Sequence, residues 1–212
     1  MAKRESKKIT VPNIMYIFCE GEKTEPYYIE SFINDRANGK SKVIRIPKEK
    51  STSPEHLLDA ALAKKKSSST ADGDVFWVVY DKEDIKSRPV SMHEKVWSKA
   101  KNNGVNVAIS CVCIEFFILL HFGFTDASYS SFDNLKSRSP LNACFKRIGV
   151  DDYDKASDKT YHYLKQRVDT AIANAERLED KIIKDSEFCI NEPYKIMAYT
   201  SFHKLLKNIL EF

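Results

Sequence analysis

Four acidic residues, Glu20, Asp81, Glu83 and Glu115, stand at the ends of, or inside, runs of apolar residues. Carboxylates gathered at one point hold hard divalent cations such as Mg²⁺ or Mn²⁺, and one or two suffice when substrate phosphates complete the shell. A cation held in this way polarises a phosphoryl oxygen and activates water, which is the chemistry of phosphodiester hydrolysis. Asp81 and Glu83 are two residues apart, so an extended chain puts them on one face. Glu115 lies within Ile114-Glu115-Phe116-Phe117-Ile118, where an unpaired charge is costly to bury. It is therefore exposed at a helix start, paired with a cation, or functional.

The elements that must position these acids are legible from periodicity. Ile14 to Cys19 and Val75 to Tyr80 are continuous apolar runs, the pattern of strands buried on both faces. Val43 to Ile46 and Val105 to Cys111 suggest two further strands. Helices are expected between them. The first is capped by Thr24, carries Pro26 in its first turn and is ended by Gly39. A second starts at Ser53, a third spans about Ser91 to Asn103, and a fourth, apolar one runs from Ile114 to Phe122. Strands alternating with helices predict a parallel sheet with helices on both faces, and ligands bind such sheets at the carboxyl ends of the strands. Glu20, Asp81 with Glu83, and Glu115 all follow strands in this reading and fall at one edge.

Past about Phe124 no strong strand signal remains. Tyr161, Leu164, Val168, Ala171, Ala175, Leu178 and Ile182 form a heptad seam on a helix of roughly 25 residues. The seam suits packing on the sheet, on a short helix from Ser201 to Leu210, or on a second copy of the chain in a homodimer. The organisation read from these features is a basic tail over 1–12, an α/β domain over 13–124 and a helical extension over 125–212.

The 212 residues carry a net charge of only +4, so overall charge names no partner. Basic residues cluster at Lys3, Arg4, Lys7 and Lys8, and again at Lys64, Lys65 and Lys66. Both clusters suit a nucleic-acid backbone, and both equally suit a solvated tail and a solvated helix end. The five cysteines include no Cys-x-x-Cys pair; Cys19, Cys111 and Cys113 read as buried free thiols of a reducing compartment. Cys111, Cys113 and His121 make at most part of a zinc site, and a core or helix-end histidine is the better reading of His121. The start lacks a long apolar stretch, and the run from Ile109 to Phe124 is interrupted by Ser110, Glu115 and His121, so a cytoplasmic protein without a membrane span is expected. Gly21-Glu22-Lys23-Thr24 matches the end of a phosphate-binding P-loop, but Ile17 occupies the place of its first glycine, which excludes that motif. Lys23, beside a helix N-terminus, remains suited to contacting a phosphate. Tyr27 and Tyr28 suit either helix packing or stacking on bases.

The string Cys19-Glu20-Gly21-Glu22-Lys23-Thr24-Glu25-Pro26-Tyr27-Tyr28 resembles the signature of the RloB family, Cys-Glu-Gly-Glu-Lys-Thr-Glu-Pro-x-Tyr. The likeness continues through Val75 to Asp81, Ala108 to Ser110, and Ile114 to Phe122, and returns at Thr200-Ser201-Phe202-His203-Lys204-Leu205. RloB-like proteins are encoded near restriction–modification or phage-defence genes and are similar to Toprim domains. The resemblance therefore implies a Toprim-like (Rossmann-like) α/β fold, with Glu20 moving a proton and Asp81 with Glu83 holding Mg²⁺. It implies a metal-dependent nuclease acting on RNA (such as tRNA) or DNA in antiviral defence, with an ATPase sensor as partner. Lys23 would stabilise charge on the phosphate. Two departures stand out. The family's Asp-x-Asp is Asp81-Lys82-Glu83 here, and its Asn-Pro-Cys-Phe-Glu is Cys111-Val112-Cys113-Ile114-Glu115. They lend some weight to the alternative, a non-catalytic module that binds nucleic acid or a nucleotide within a defence complex.

Overall fold

A computed structural model describes residues 12–84, 86–185 and 191–212. The basic residues Lys3, Arg4, Lys7 and Lys8, and Cys189, lie outside the described residues. Strand β1 (Met15–Cys19) is followed by helix α1 (Thr24–Arg36), strand β2 (Ile44–Arg45), helix α2 (Pro54–Lys65), strand β3 (Val75–Asp81), helix α3 (Val90–Asn102) and strand β4 (Asn106–Cys111). Helices α4 (Glu115–Leu120), α5 (Phe132–Arg138), α6 (Leu141–Arg147), α7 (Thr160–Leu164) and α8 (Val168–Asp185) come next, then strand β5 (Tyr199–Thr200) and helix α9 (Phe202–Glu211).

The sheet order is β2-β1-β3-β4-β5, parallel except for β5, which runs antiparallel to β4. The chain leaves β1 for β2 on one side and later enters β3 on the other. The crevice between the carboxyl ends of β1 and β3 is thus the topological switch point, where open α/β sheets bind ligands. Every residue of β1 is buried, and so is all of β3 after Val75, as a sheet covered on both faces requires.

Local chemistry explains most boundaries. Ser53 caps α2 by accepting from the His56 backbone N–H, with Pro54 at the first helical position. Leu57, Leu58, Ala61 and Leu62 form its buried face. Thr24 does not cap α1. It is the first helical residue, and its hydroxyl donates to the Lys155 carbonyl across the fold. The chain turns after α1 at Gly39, whose φ of 100° suits a residue without Cβ.

The C-terminal region differs from expectation in two respects. It contributes a strand, since Tyr199 pairs with Cys111 and Thr200 with Ser110. Two residues are too few to show a periodic signal. The long helix is also interrupted by a tight 3₁₀ turn at Lys165–Arg167, between α7 and α8. The seam nonetheless holds: Tyr161, Leu164, Val168, Ala171, Ala175, Leu178 and Ile182 are all buried. Their partners are within the chain, because α8 packs on α4, α9 and β5. The Asn174 amide of α8 donates to the Leu120 carbonyl at the end of α4 (2.8 Å), satisfying a group the helix leaves open. Arg36 of α1 reaches Asp169 (2.5 Å) and the Lys165 carbonyl (3.0 Å), tying α1 to α7 and α8. No helix among the described residues is long and apolar enough to cross a membrane.

Candidate metal centre

Glu20 leaves β1 directly into the switch-point crevice, and its backbone N–H continues the ladder to the Val79 carbonyl (2.9 Å). Its Oε2 accepts from the Asp81 backbone N–H at 2.9 Å, so the ends of β1 and β3 are stitched by the glutamate side chain itself. Arg88, between β3 and α3, grips both Glu20 carboxylate oxygens: Nη1 donates to Oε2 at 2.8 Å and Nη2 to Oε1. Nη1 also donates to the Asp81 carbonyl at 2.7 Å, and Nε lies 3.5 Å from the exposed carboxylate of Glu83. A planar guanidinium matches a carboxylate in this two-pronged way. Glu20 is therefore neutralised by a cation already in the chain.

Asp81, Glu115 and a residue that the sequence reading did not single out, Glu25, form the inner group. All three are buried; Glu115 is 0% exposed and Glu25 3%. Burial pushes the Asp81 carboxyl well above its ordinary range, and the charges of Glu25, Glu115 and Glu20 push it further. Glu25, in the first turn of α1, is raised to about 7, first by burial and then by Glu115 against the pull of its own backbone hydrogen bond. Glu115 opens α4; its Oε1 accepts from the Tyr153 hydroxyl at 2.8 Å. The remaining oxygens, Oε2 of Glu115 and Oε2 of Glu25, are buried without a hydrogen-bond partner. A carboxylate oxygen hidden from water without a donor is costly, and natural structures rarely leave one so.

One cation answers this group. Burial works against the charge of Lys155, but Glu115, Asp81, Cys113 and Glu25 outweigh it and hold the ammonium above its ordinary pKa. Lys155 Nζ also sits 4.9 Å from the Phe132 ring centroid. A cavity of 250 Å³ lined by Asp81, Glu83, Asp84, Cys113, Phe132 and Lys155 reaches Asp81 from outside, while Glu25 and Glu115 lie behind its lining.

Of the residues singled out by sequence, Glu20, Asp81 and Glu115 thus meet at the carboxyl edge of the sheet. Glu83 is exposed beside Arg88, with φ of 56°, a left-handed conformation unusual for glutamate. Lys23 is exposed at the start of α1 with no side-chain capping bond. Lys64, Lys65 and Lys66 are elsewhere: Lys64 Nζ lies over the Tyr16 ring, and Lys65 donates to the Gly104 carbonyl beside the start of β4. They stand at the opposite edge of the sheet from the acids. His121 is a core histidine, raising no metal question: its Nε2 meets the Tyr28 hydroxyl at 2.7 Å and its Nδ1 faces the carbonyls of Phe117 and Ile118. Cys19, Cys111, Cys113 and Cys144 are free and buried.

Carboxylate oxygens are the donors a hard divalent cation takes, although as they stand no three acidic, histidine or cysteine side chains among the described residues are arranged to hold one. Two orphaned carboxylate oxygens, and a third carboxyl whose pKa is raised by burial first and by its acidic neighbours second, mark a cluster short of positive charge. The candidates for such a role are Glu25, Asp81 and Glu115, with Glu20 at the margin behind Arg88. Sequence reasoning missed Glu25 because an acid in the first turn of a helix has a sufficient explanation in the helix dipole. Its neighbour Gly21 held the signal. A Cβ there would come 1.8 Å from Glu25 Oε2, so the glycine makes room for the carboxylate.

Searches among curated proteins and among solved structures return no match. A family model, that of the RloB-like proteins, matches residues 15–209, a span that runs from the start of β1 into α9. The chain belongs to the RloB-like protein family.

Proposed function

We propose that this protein is a Toprim-like, Mg²⁺- or Mn²⁺-dependent nuclease that hydrolyses phosphodiester bonds of RNA or DNA as an effector of antiviral defence. The observation that carries this reading is the buried set Glu25, Asp81 and Glu115, two of whose oxygens lack any donor, at the switch point of a parallel sheet. When bound there, a divalent cation supplies Lewis acidity to a phosphoryl oxygen and to an attacking water. Asp81, Glu25 and Glu115 would hold the cation. Glu20, released from Arg88, accepts a proton at Oε1 or Oε2, and the freed guanidinium is available to a phosphate oxygen. Lys23 and the N-terminus of α1 face the same loop and attract the polyanion. The placement in defence, and an ATPase sensor as partner, rest on the family resemblance.

One observation favours a second reading. Arg88 satisfies Glu20 completely, which suits a non-catalytic module that binds nucleic acid or a nucleotide. The test is to incubate purified protein, with and without a neighbouring ATPase, with tRNA, total RNA and plasmid in Mg²⁺ or Mn²⁺. The nuclease reading expects cleavage that Asp81→Asn and Glu20→Ala abolish. Cleavage that survives both substitutions contradicts the site, and binding without cleavage of any substrate supports the second reading.

A further inference from the structure

A second cavity of 380 Å³ opens on the far side of the Glu20 loop, between that loop, α1 and the segment after β2. Its size is within the range of small-molecule sites. Pro26, Tyr27 and Pro47 line it with apolar surface, and Lys23 and Lys48 are exposed at it. The two adjacent tyrosines of the signature string have separate fates. Tyr28 is buried and bonded to His121, whereas Tyr27 is half-buried and lines this cavity. Neither the Tyr27 hydroxyl nor the ammonium groups of Lys23 and Lys48 has a partner among the described residues. Three acids, Glu22, Glu30 and Glu49, also line the cavity.

This combination discriminates between ligands. Three carboxylates against two lysines disfavour a bare phosphate or a run of backbone phosphates. An aromatic face beside two prolines suits a flat ring, and carboxylates accept from the amino groups on a base edge. The lysines then meet the phosphate attached to that base. Lys23 belongs both to this cavity and to the loop that carries Glu20, whereas Asp81 is reached from a separate cavity.

We infer that this cavity is a nucleotide subsite, which stacks one base of a single-stranded nucleic acid on Tyr27 and meets the attached phosphate with Lys23 and Lys48. The inference rests on the nucleic-acid reading above and adds the subsite and its preference. Bases with an exocyclic amine are favoured over uracil and thymine, which lack one.

The test is binding of a fluorescently labelled short cytidine oligomer, read by anisotropy in EDTA so that cleavage plays no part. Saturable binding is expected, weakened about tenfold by Tyr27→Ala and retained by Tyr27→Phe. Tyr163→Ala, which removes an exposed ring elsewhere, should leave it unchanged. A uridine oligomer should bind more weakly, and cytidine monophosphate should compete only at higher concentration than the oligomer. Wild-type affinity in Tyr27→Ala overturns the proposal, as does monophosphate binding without oligomer binding, or no saturable binding at all. Tyr27-dependent binding with no Mg²⁺-dependent cleavage keeps the subsite and overturns the nuclease reading. Cleavage whose KM ignores Tyr27→Ala does the reverse.

Discussion

The Arg88 guanidinium holds both carboxylate oxygens of Glu20, and Glu20 in turn accepts the backbone N–H of Asp81. The acidic edge is thereby divided into an outer carboxylate that has its cation and an inner group of three whose one cation among the described residues is the exposed Lys155. The division gives the two sets different responses to mutation, to pH and to added metal.

Removing Arg88 leaves Glu20 unpaired at a position where both side chains are mostly buried, 13% and 16% exposed. Breaking such a pair from one side costs about 3 kcal/mol. Arg88→Ala should therefore melt well below the wild type, and Mg²⁺ should recover more of its stability than it adds to the wild type. Thermal melts with and without Mg²⁺ measure both effects. A variant as stable as wild type, with no added Mg²⁺ response, counts against the pairing.

Glu25 gives a pH signature. Its folded-state pKa of about 7 is above the ordinary carboxylate value, so the folded protein holds a proton there that the unfolded chain has lost. The penalty for ionising it grows as pH rises from about 4.5 to about 7 and is complete above that. His93 and His121, both lowered to about 4 mainly by burial, act in the opposite sense over an overlapping range. The melting curve of the wild type alone thus mixes the two. The difference between Glu25→Gln and wild type cancels the histidines and reports Glu25 together with the part of the Asp81 shift that Glu25 causes, which has the same sign: the variant should be more stable at pH 8, and its advantage should shrink toward pH 5. An advantage independent of pH would contradict the shift.

Gly21→Ala tests the room made for Glu25. Gly21 does not have a positive φ, so its backbone accepts alanine, and the Cβ acts by displacing the carboxylate it meets at 1.8 Å. The melting temperature should change little while Mn²⁺ affinity falls, and the double variant Gly21→Ala/Glu25→Ala should bind Mn²⁺ no worse than Glu25→Ala alone. Additive losses would mean that the glycine serves another purpose.

Tyr153 donates the one hydrogen bond that Glu115 receives from a side-chain hydroxyl, and Glu115 Oε2 has none. Tyr153→Phe should cost about 1–3 kcal/mol without metal, the penalty for a buried acceptor left unsatisfied. Urea melts measure it. The close seam of α8 is tested by Ala171→Leu, which adds volume at a fully buried position and should destabilise by about 1–3 kcal/mol.

The sheet was legible because its strands are buried on both faces, so β1 and β3 appear as unbroken apolar runs that end at the acids. The carboxyl-edge placement of Glu20, Asp81 and Glu115 follows from that alternation alone. Strand β5 was not legible: its two residues are specified by pairing with Ser110 and Cys111, a long-range relation with no local period. Arg88 and Lys155 were hidden for the same reason. Each comes from a loop whose sequence gives no hint of which carboxylate it meets. Glu25 was hidden differently, behind an adequate local explanation as a helix-start acid; its burial, and its close approach to Gly21, are tertiary.

In the proposed site Glu25, Asp81 and Glu115 share a divalent cation. Titration of Mn²⁺ into the purified protein, followed by electron paramagnetic resonance of the free ion, tests it directly. The account predicts saturable binding by the wild type that Asp81→Asn abolishes and Glu25→Gln and Glu115→Gln each weaken, with the fold intact by circular dichroism. Mn²⁺ binding that is unchanged in all three variants, or absent from the wild type, would contradict it.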